Sequence, residues 1–146
     1  MKPFFSIIMA CCDVEPYIGE ALDSVQKQSF GDWECICGIE ESKDRTAELI
    51  RERAAADPRI RFFEQPRSGS CSATRNRGTD LAQGEYVIFL DGDDTIEKES
   101  LAQIAARASL PRRVALPLLS LAAAGWQFPA KFYFRKLYYP LAERRR

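Results

Sequence analysis

No stretch of this chain is apolar for long enough to cross a bilayer. Residues 114–126 are apolar for 13 positions, against the roughly 20 that a spanning helix requires. The N-terminus, Met1-Lys2-Pro3-Phe4-Phe5-Ser6, lacks the longer apolar stretch and small-residue cleavage site of a secretory leader. Internal repeats and low-complexity tracts are absent as well. The five cysteines, Cys11, Cys12, Cys35, Cys37 and Cys71, lack the two-to-four-residue spacers of structural zinc sites: the first two are adjacent, and Cys35 and Cys37 are one residue apart. Those features describe a reduced, cytoplasmic protein whose thiols act as small hydrophobes in or beside buried strands. Acid is nearly missing from the C-terminal part. Residues 101–146 hold nine basic residues and one acid, a net of +8, whereas residues 1–100 hold 12 basic and 20 acidic residues, a net of −8. A front half so acidic argues against nucleic acid as a partner, because carboxylate clusters repel a phosphate backbone.

What is present is the pattern of one ordinary α/β domain, with 46% hydrophobic residues in 146. Residues 4–10 (FFSIIMA) form a continuous apolar run of strand length, of the kind buried on both faces. Asp13 is placed to cap a helix over 14–28, with Pro16 in its first turn and Ile18, Leu22 and Val25 on one face. A second strand spans 33–39, and Asp44 can cap a helix over 45–56 that Asp57-Pro58 stops. Ile60 to Glu64 gives a short third strand. A helix over 71–82 follows, with Gly84 as its C-terminal stop. Residues 86–90 (YVIFL) make a fourth buried strand, and a last helix covers 97–108. This alternation predicts a Rossmann-like, mainly parallel sheet with right-handed crossovers and flanking helices. Ligands in such sheets bind beyond the carboxyl ends of the strands. Here those ends carry residues 11–13, 40–42 and 91–94.

Composition changes near Leu110, which divides the chain into a domain over 1–108 and a basic, aromatic-rich segment over 109–146. That segment carries Trp126, Phe128, Phe132, Tyr133, Phe134, Tyr138 and Tyr139. It suits an anionic membrane surface at the inner face of the membrane. It equally suits packing against the acidic half, or disorder.

Asp91-Gly92-Asp93-Asp94 places three carboxylates within four residues, directly after a buried strand. Side by side without a cation they would repel one another, and one would tend to protonate. A hard divalent ion, Mg²⁺ or Mn²⁺, relieves that repulsion and can bridge to substrate phosphates. Gly92 would permit a tight turn and close ligand approach. The plainer reading is a surface turn whose aspartates cap the next helix. The same strand and acids also fit the D-x-D-x-T opening of haloacid-dehalogenase-type phosphatases, but the residues after them lack the further acidic pair those enzymes need.

Five segments in order decide among these. They are residues 6–13 (SIIMACCD) through Tyr17-Ile18, residues 22–30 followed by Trp33-Glu34, residues 42–46 (SKDRT), residues 69–78 (GSCSATRNRG), and residues 84–94 (GEYVIFLDGDD). Together they resemble the family 2 inverting glycosyltransferases of the GT-A fold over residues 4–100. The resemblance implies that Asp91 and Asp93 are the D-x-D motif contacting ribose and metal, with Asp94 beside them. It implies that Glu40 holds a uracil-type base, and that Arg75 and Asn76 line the nucleotide side of the pocket. For Arg75 the plainer reading is a solvated helical charge. Ala10, Cys12, Asp13 and Gly92 complete the implied nucleotide-sugar contacts. The implied donor is of UDP or dTDP type, the cofactor Mn²⁺ or Mg²⁺, and the acceptor a saccharide or a lipid-linked one.

Departures from the family pattern are specific. The usual P-x-Y-N loop is Ala10-Cys11-Cys12-Asp13 here, and the usual D-D-G-S is Ile39-Glu40-Glu41-Ser42, which removes one carboxylate. Cys71 is expected to be a packed small residue. An inverting transfer needs a base for the acceptor hydroxyl, and after Glu99 the only acid is Glu143. No general base is identified. The chain therefore reads as a transferase piece, a shifted-frame product or a non-catalytic nucleotide-sugar-binding module.

Overall fold

The computed structural model describes residues 2–108; the readings made for residues 109–146 lie outside them. Four strands and four helices alternate: β1 (Phe5–Cys11), α1 (Glu15–Gln26), β2 (Trp33–Glu40), α2 (Thr46–Ala56), β3 (Ile60–Gln65), α3 (Cys71–Leu81), β4 (Tyr86–Asp91) and α4 (Ser100–Ala108). The strands form one sheet in the order β3-β2-β1-β4, and every pairing is parallel. The α/β architecture expected from the sequence is therefore present, with strand bounds within one or two residues of the periodicity. The chain runs outward from β1 to β3 and then jumps back to the far side of β1, which makes the ends of β1 and β4 the switch point.

Side-chain alternation divides the sheet into two faces. Ile7 and Met9 of β1, Cys35 and Cys37 of β2, and Ile88 and Leu90 of β4 point one way. There they meet Ile18, Leu22 and Val25 of α1, Ile50 of α2 and Leu101 of α4. On the other face Ile8, Ile36, Phe63, Val87 and Phe89 form a smaller core beneath the crossover helix α3. Three thiols belong to the larger face: Cys11, Cys35 and Cys37 are buried, with Cys35 Sγ 3.9 Å from Cys37 Sγ. Bonding from Cys37 together with burial pushes the Cys11 and Cys35 thiols up. Cys71, expected to be packed, is instead exposed in the first turn of α3.

Steric constraint seats α3. A Cβ at Gly78 would collide with Ile8 Cγ2, and one at Gly38 with Thr74 Cγ2 and the Phe63 ring. Glycine at both positions lets helix backbone and sheet approach closely. The sequence places the stop of α3 at Gly84, but the helix ends at Leu81 and Ala82 after it is already extended. Gly84 instead lies against Ser6, donating its N–H to Ser6 Oγ at 2.8 Å. At this amino end of the sheet the buried Glu34 carboxylate accepts from Ser6 Oγ (2.7 Å) and from Gln83 N–H (2.7 Å), and pairs with Arg61 (2.8 Å). These bonds cross-link that end beside a cleft of about 310 Å³ lined among others by Trp33, Glu34, Arg59 and Arg61.

At the carboxyl end the first two helix starts cap each other. Asp44 accepts from Thr46 N–H with one oxygen (3.0 Å) and from Glu15 N–H with the other (2.9 Å). Glu15 accepts from Arg45 N–H at 3.0 Å, and Thr46 Oγ1 accepts from Val14 N–H at 2.9 Å. Asp13 does not cap α1 as expected. It stands outside the helix at φ 52, and Val14 occupies the cap position without a side-chain bond. Its carboxylate is drawn across to the β2 loop, accepting from Lys43 N–H at 2.8 Å.

Two glycine-to-alanine exchanges separate these effects. Gly78→Ala should cost about 1–3 kcal/mol, because Ile8 must move within a packed core. Gly19→Ala, in α1 with open space around it, should gain roughly 0.5–1 kcal/mol through helix propensity. Urea unfolding of both variants measures the two signs.

Candidate functional site

Register places the site. Ala10 of β1 stands between Gly38 of β2 and Asp91 of β4, so all three share the α3 face. Glu40, two residues beyond Gly38, emerges on that face too. Glu40 and Asp91 therefore end strands on either side of β1, two strand spacings or roughly 10 Å apart. Successive residues of α3 reach both. Thr74 is fully buried and donates to Glu40 Oε1 at 2.6 Å, while Arg75 forms an ion pair with Asp91 Oδ1.

Glu40 is the hub of the β2 side. It is 5% exposed. Its Oε1 accepts from Thr74, from Ser68 Oγ at 2.6 Å and from Gln65 Nε2 at 3.3 Å, while among the described residues Oε2 accepts only from Ser68 N–H, at 3.3 Å. A carboxylate offers about four lone-pair sites, so Oε2 keeps capacity for one more donor. A cleft of about 510 Å³ opens beside it, lined among others by Glu41, Ser42, Arg51 and Gln65. None of Ser68, Thr74 and Gln65 was picked out from the sequence as a partner of Glu40, since each lies 25 or more residues away along the chain.

Asp91, Asp93 and Asp94 bring one carboxylate oxygen each within 4.8 Å of one another. Asp93 is exposed, and the other two are half-buried. These are hard oxygen donors on one turn, closed by Asp94 N–H to Asp91 O at 3.0 Å, and the set fits Mg²⁺ or Mn²⁺. The helix-capping reading fails, because α4 does not start until Ser100 and its Leu101 N–H bonds Gln28 instead. Gly92 is needed for a different reason from the one expected. It lacks a positive φ, but its N–H donates to Ala10 O at 3.1 Å and a Cβ would lie 3.0 Å from Val14 and 3.2 Å from Cys11 Sγ. Close packing against the end of β1, not a positive φ, favours glycine there.

Arg75 is not the solvated charge of the plainer reading. Its side chain is 23% exposed, lies 5.8 Å from the Phe89 ring centroid, and keeps a buried Nε with no acceptor among the described residues. Asn76, the next residue, is exposed on α3. On the β1 loop, Cys12 is half-buried and its thiol is raised, chiefly by burial. Asp13 is exposed and pairs with Arg67 at 2.7 Å. The bond from Lys43 N–H, helped by Arg67, holds its carboxyl below the usual range.

Hydrogen bonds from Ser68 and Thr74 likewise hold the Glu40 carboxyl below its ordinary value. A carboxylate depressed in the folded state lends stability that is complete above its unfolded pKa, about 4.3. That stability is lost as pH falls through the folded value. Urea midpoints should accordingly fall below about pH 4, and Glu40→Gln should flatten that part of the profile while lowering stability at neutral pH by roughly 1–3 kcal/mol.

Comparison with known proteins bears on this arrangement. Over 108 residues the chain is 37% identical to the uncharacterized glycosyltransferase EpsJ of Bacillus subtilis (strain 168), covering 74% of this chain and 31% of EpsJ. S. aureus TarS 1–349, solved in complex with UDP, superposes with a TM-score of 0.67 at 34% identity, covering 73% of this chain and 32% of that one. A mannosyltransferase from Pyrobaculum calidifontis, solved with GDP-Man and Mn²⁺, has the same fold, with a TM-score of 0.65 at 21% identity over 82% of this chain and 39% of that one. The chain thus spans about a third of the length of these relatives. The family model described as Glycosyl transferase family 2 matches residues 6–137, and this chain belongs to that family.

Proposed function

We propose that the carboxyl ends of β1, β2 and β4 bind a nucleoside-diphosphate sugar together with Mn²⁺ or Mg²⁺, for glycosyl transfer to a saccharide or lipid-linked acceptor. The observation that carries this is the convergence of Asp91, Asp93 and Asp94 at the switch point of a parallel sheet, two strands from a buried carboxylate with one free acceptor position. Family membership sets the phosphatase reading aside.

The residues divide the ligand between them. Glu40 Oε2 accepts from the imide N–H of a uracil or thymine ring, held in position by Ser68, Thr74 and Gln65. Ala10, Cys12 and Asp13, with the close-packed Gly92, form the wall between base and diphosphate, and Asn76 lies on the helix above. Asp91, Asp93 and Asp94 would hold the cation, which supplies charge neutralisation for the diphosphate leaving group. Taking the acceptor's proton needs a further base, and measuring donor hydrolysis separates an enzyme from a nucleotide-sugar-binding module. Among the described residues no helix is long and apolar enough to cross a membrane.

Calorimetric titration of UDP should show affinity at least about tenfold weaker in EDTA than in Mn²⁺, a loss of about 1.4 kcal/mol. Asp93→Ala should abolish that difference with an unchanged Tm, since Asp93 is exposed. Equal affinity with and without metal in the wild-type protein would refute the cation assignment.

A second titration tests the base. UDP should bind about 5- to 150-fold more tightly than ADP, the worth of one hydrogen bond to a charged acceptor. Glu40→Gln should narrow that ratio, and equal affinities in the wild-type protein count against the role of Glu40.

A further inference from the structure

We infer that Arg75 is a built-in cation that holds Asp91 until metal and diphosphate arrive, and that binding passes its guanidinium from the carboxylate to the diphosphate. This rests on the metal-and-diphosphate reading above and adds to it a coupling between the two ligands.

The geometry carries the inference in three steps. Asp91, which offers a carboxylate oxygen to the cluster with Asp93 and Asp94, is already paired through Oδ1 with the Arg75 guanidinium. A guanidinium and a divalent ion sharing one carboxylate repel each other, so the two cations compete for its charge. Arg75 is also incompletely satisfied where it stands, because its buried Nε finds no acceptor among the described residues. A guanidinium is a fork of five donors suited to phosphate oxygens, and a diphosphate would satisfy donors that Asp91 leaves idle. Finally, its mounting keeps it near. Thr74 beside it is locked to Glu40, and Gly78 on the next turn is pressed against Ile8. Only the Arg75 side chain has to swing, not the helix.

Opposite signs follow at one residue. Without nucleotide, Arg75 opposes the metal; with nucleotide, it favours the diphosphate. Metal and nucleotide therefore assist one another, with a coupling of about 5- to 150-fold.

The test uses the full chain and no turnover. Mn²⁺ alone is titrated by electron paramagnetic resonance into the wild-type protein, Arg75→Gln, Arg75→Lys and Asp93→Asn. UDP is then titrated by calorimetry at saturating Mn²⁺, and circular dichroism with Tm in EDTA checks the fold of each variant. Arg75→Gln should bind Mn²⁺ alone about tenfold more tightly than the wild-type protein and UDP about tenfold more weakly, removing most of the coupling. Arg75→Lys, a point charge without the fork, should fall between the two in both titrations and keeps the test decisive if the glutamine variant folds poorly. Mn²⁺ binding that depends on Asp93 but is no tighter in Arg75→Gln, with Arg75→Lys equal to wild type, overturns the inference and leaves the metal site standing. Mn²⁺ binding that is undetectable in every variant overturns both. A merely structural arginine would weaken both ligands together.

Discussion

The approach of α3 to the sheet is the constraint on which the site depends. Without side chains at Gly38 and Gly78, helix backbone and strand backbone come close enough for Thr74 to be fully buried beneath the helix. From that position its hydroxyl reaches Glu40, and the next residue, Arg75, falls over the end of β4 at Asp91. A helix held a methyl group further out would leave Glu40 without one of its short donors and would loosen the Arg75 pair. One steric fact on the apolar side of α3 thus fixes two polar contacts at different strand ends.

A second constraint acts on the loops. The turns after β1 and β2 brace one another through Asp13, Glu15, Asp44 and Thr46, each satisfying backbone N–H groups of the other loop or of its own helix start. The first N–H groups of a helix have no partner within it, so the braces satisfy them while fixing where both loops lie. At the amino end of the sheet Glu34 is neutralised by Arg61, whereas the carboxyl end holds carboxylates in excess of its internal cations. Asp93, exposed at the centre of that surplus, sits where an incoming positive charge gains most.

This imbalance also explains why the two buried glutamates of β2 differ in character. Glu34 is matched by Arg61 and by two neutral donors, a closed account of charge within the protein. Among the described residues the donors to Glu40 are all neutral, and no guanidinium is hydrogen-bonded to its carboxylate beside the cleft. Such a group is able to recognise a donor on a ligand, because hydrogen bonds to an ionised acceptor are the stronger kind.

The amino-acid sequence by itself determined the elements and their order. Apolar runs such as residues 86–90 and the spacing of Ile18, Leu22 and Val25 are short-range patterns, written by the period of strand and helix. It also placed the acids at strand ends, since a parallel α/β alternation puts those ends on one edge. Local rules failed where a longer-range contact competed: Asp13 gave up a cap to bond Lys43, Gly84 served Ser6 rather than a helix terminus, and Gly92 answered to Val14 and Cys11 rather than to a positive φ. Tertiary structure alone decided the partners of Glu40 and the pairing of Arg75 with Asp91. Those contacts join residues 16 to 34 positions apart. They exist only because two glycines let a helix rest on the sheet at one depth, and no periodicity in the sequence encodes that distance.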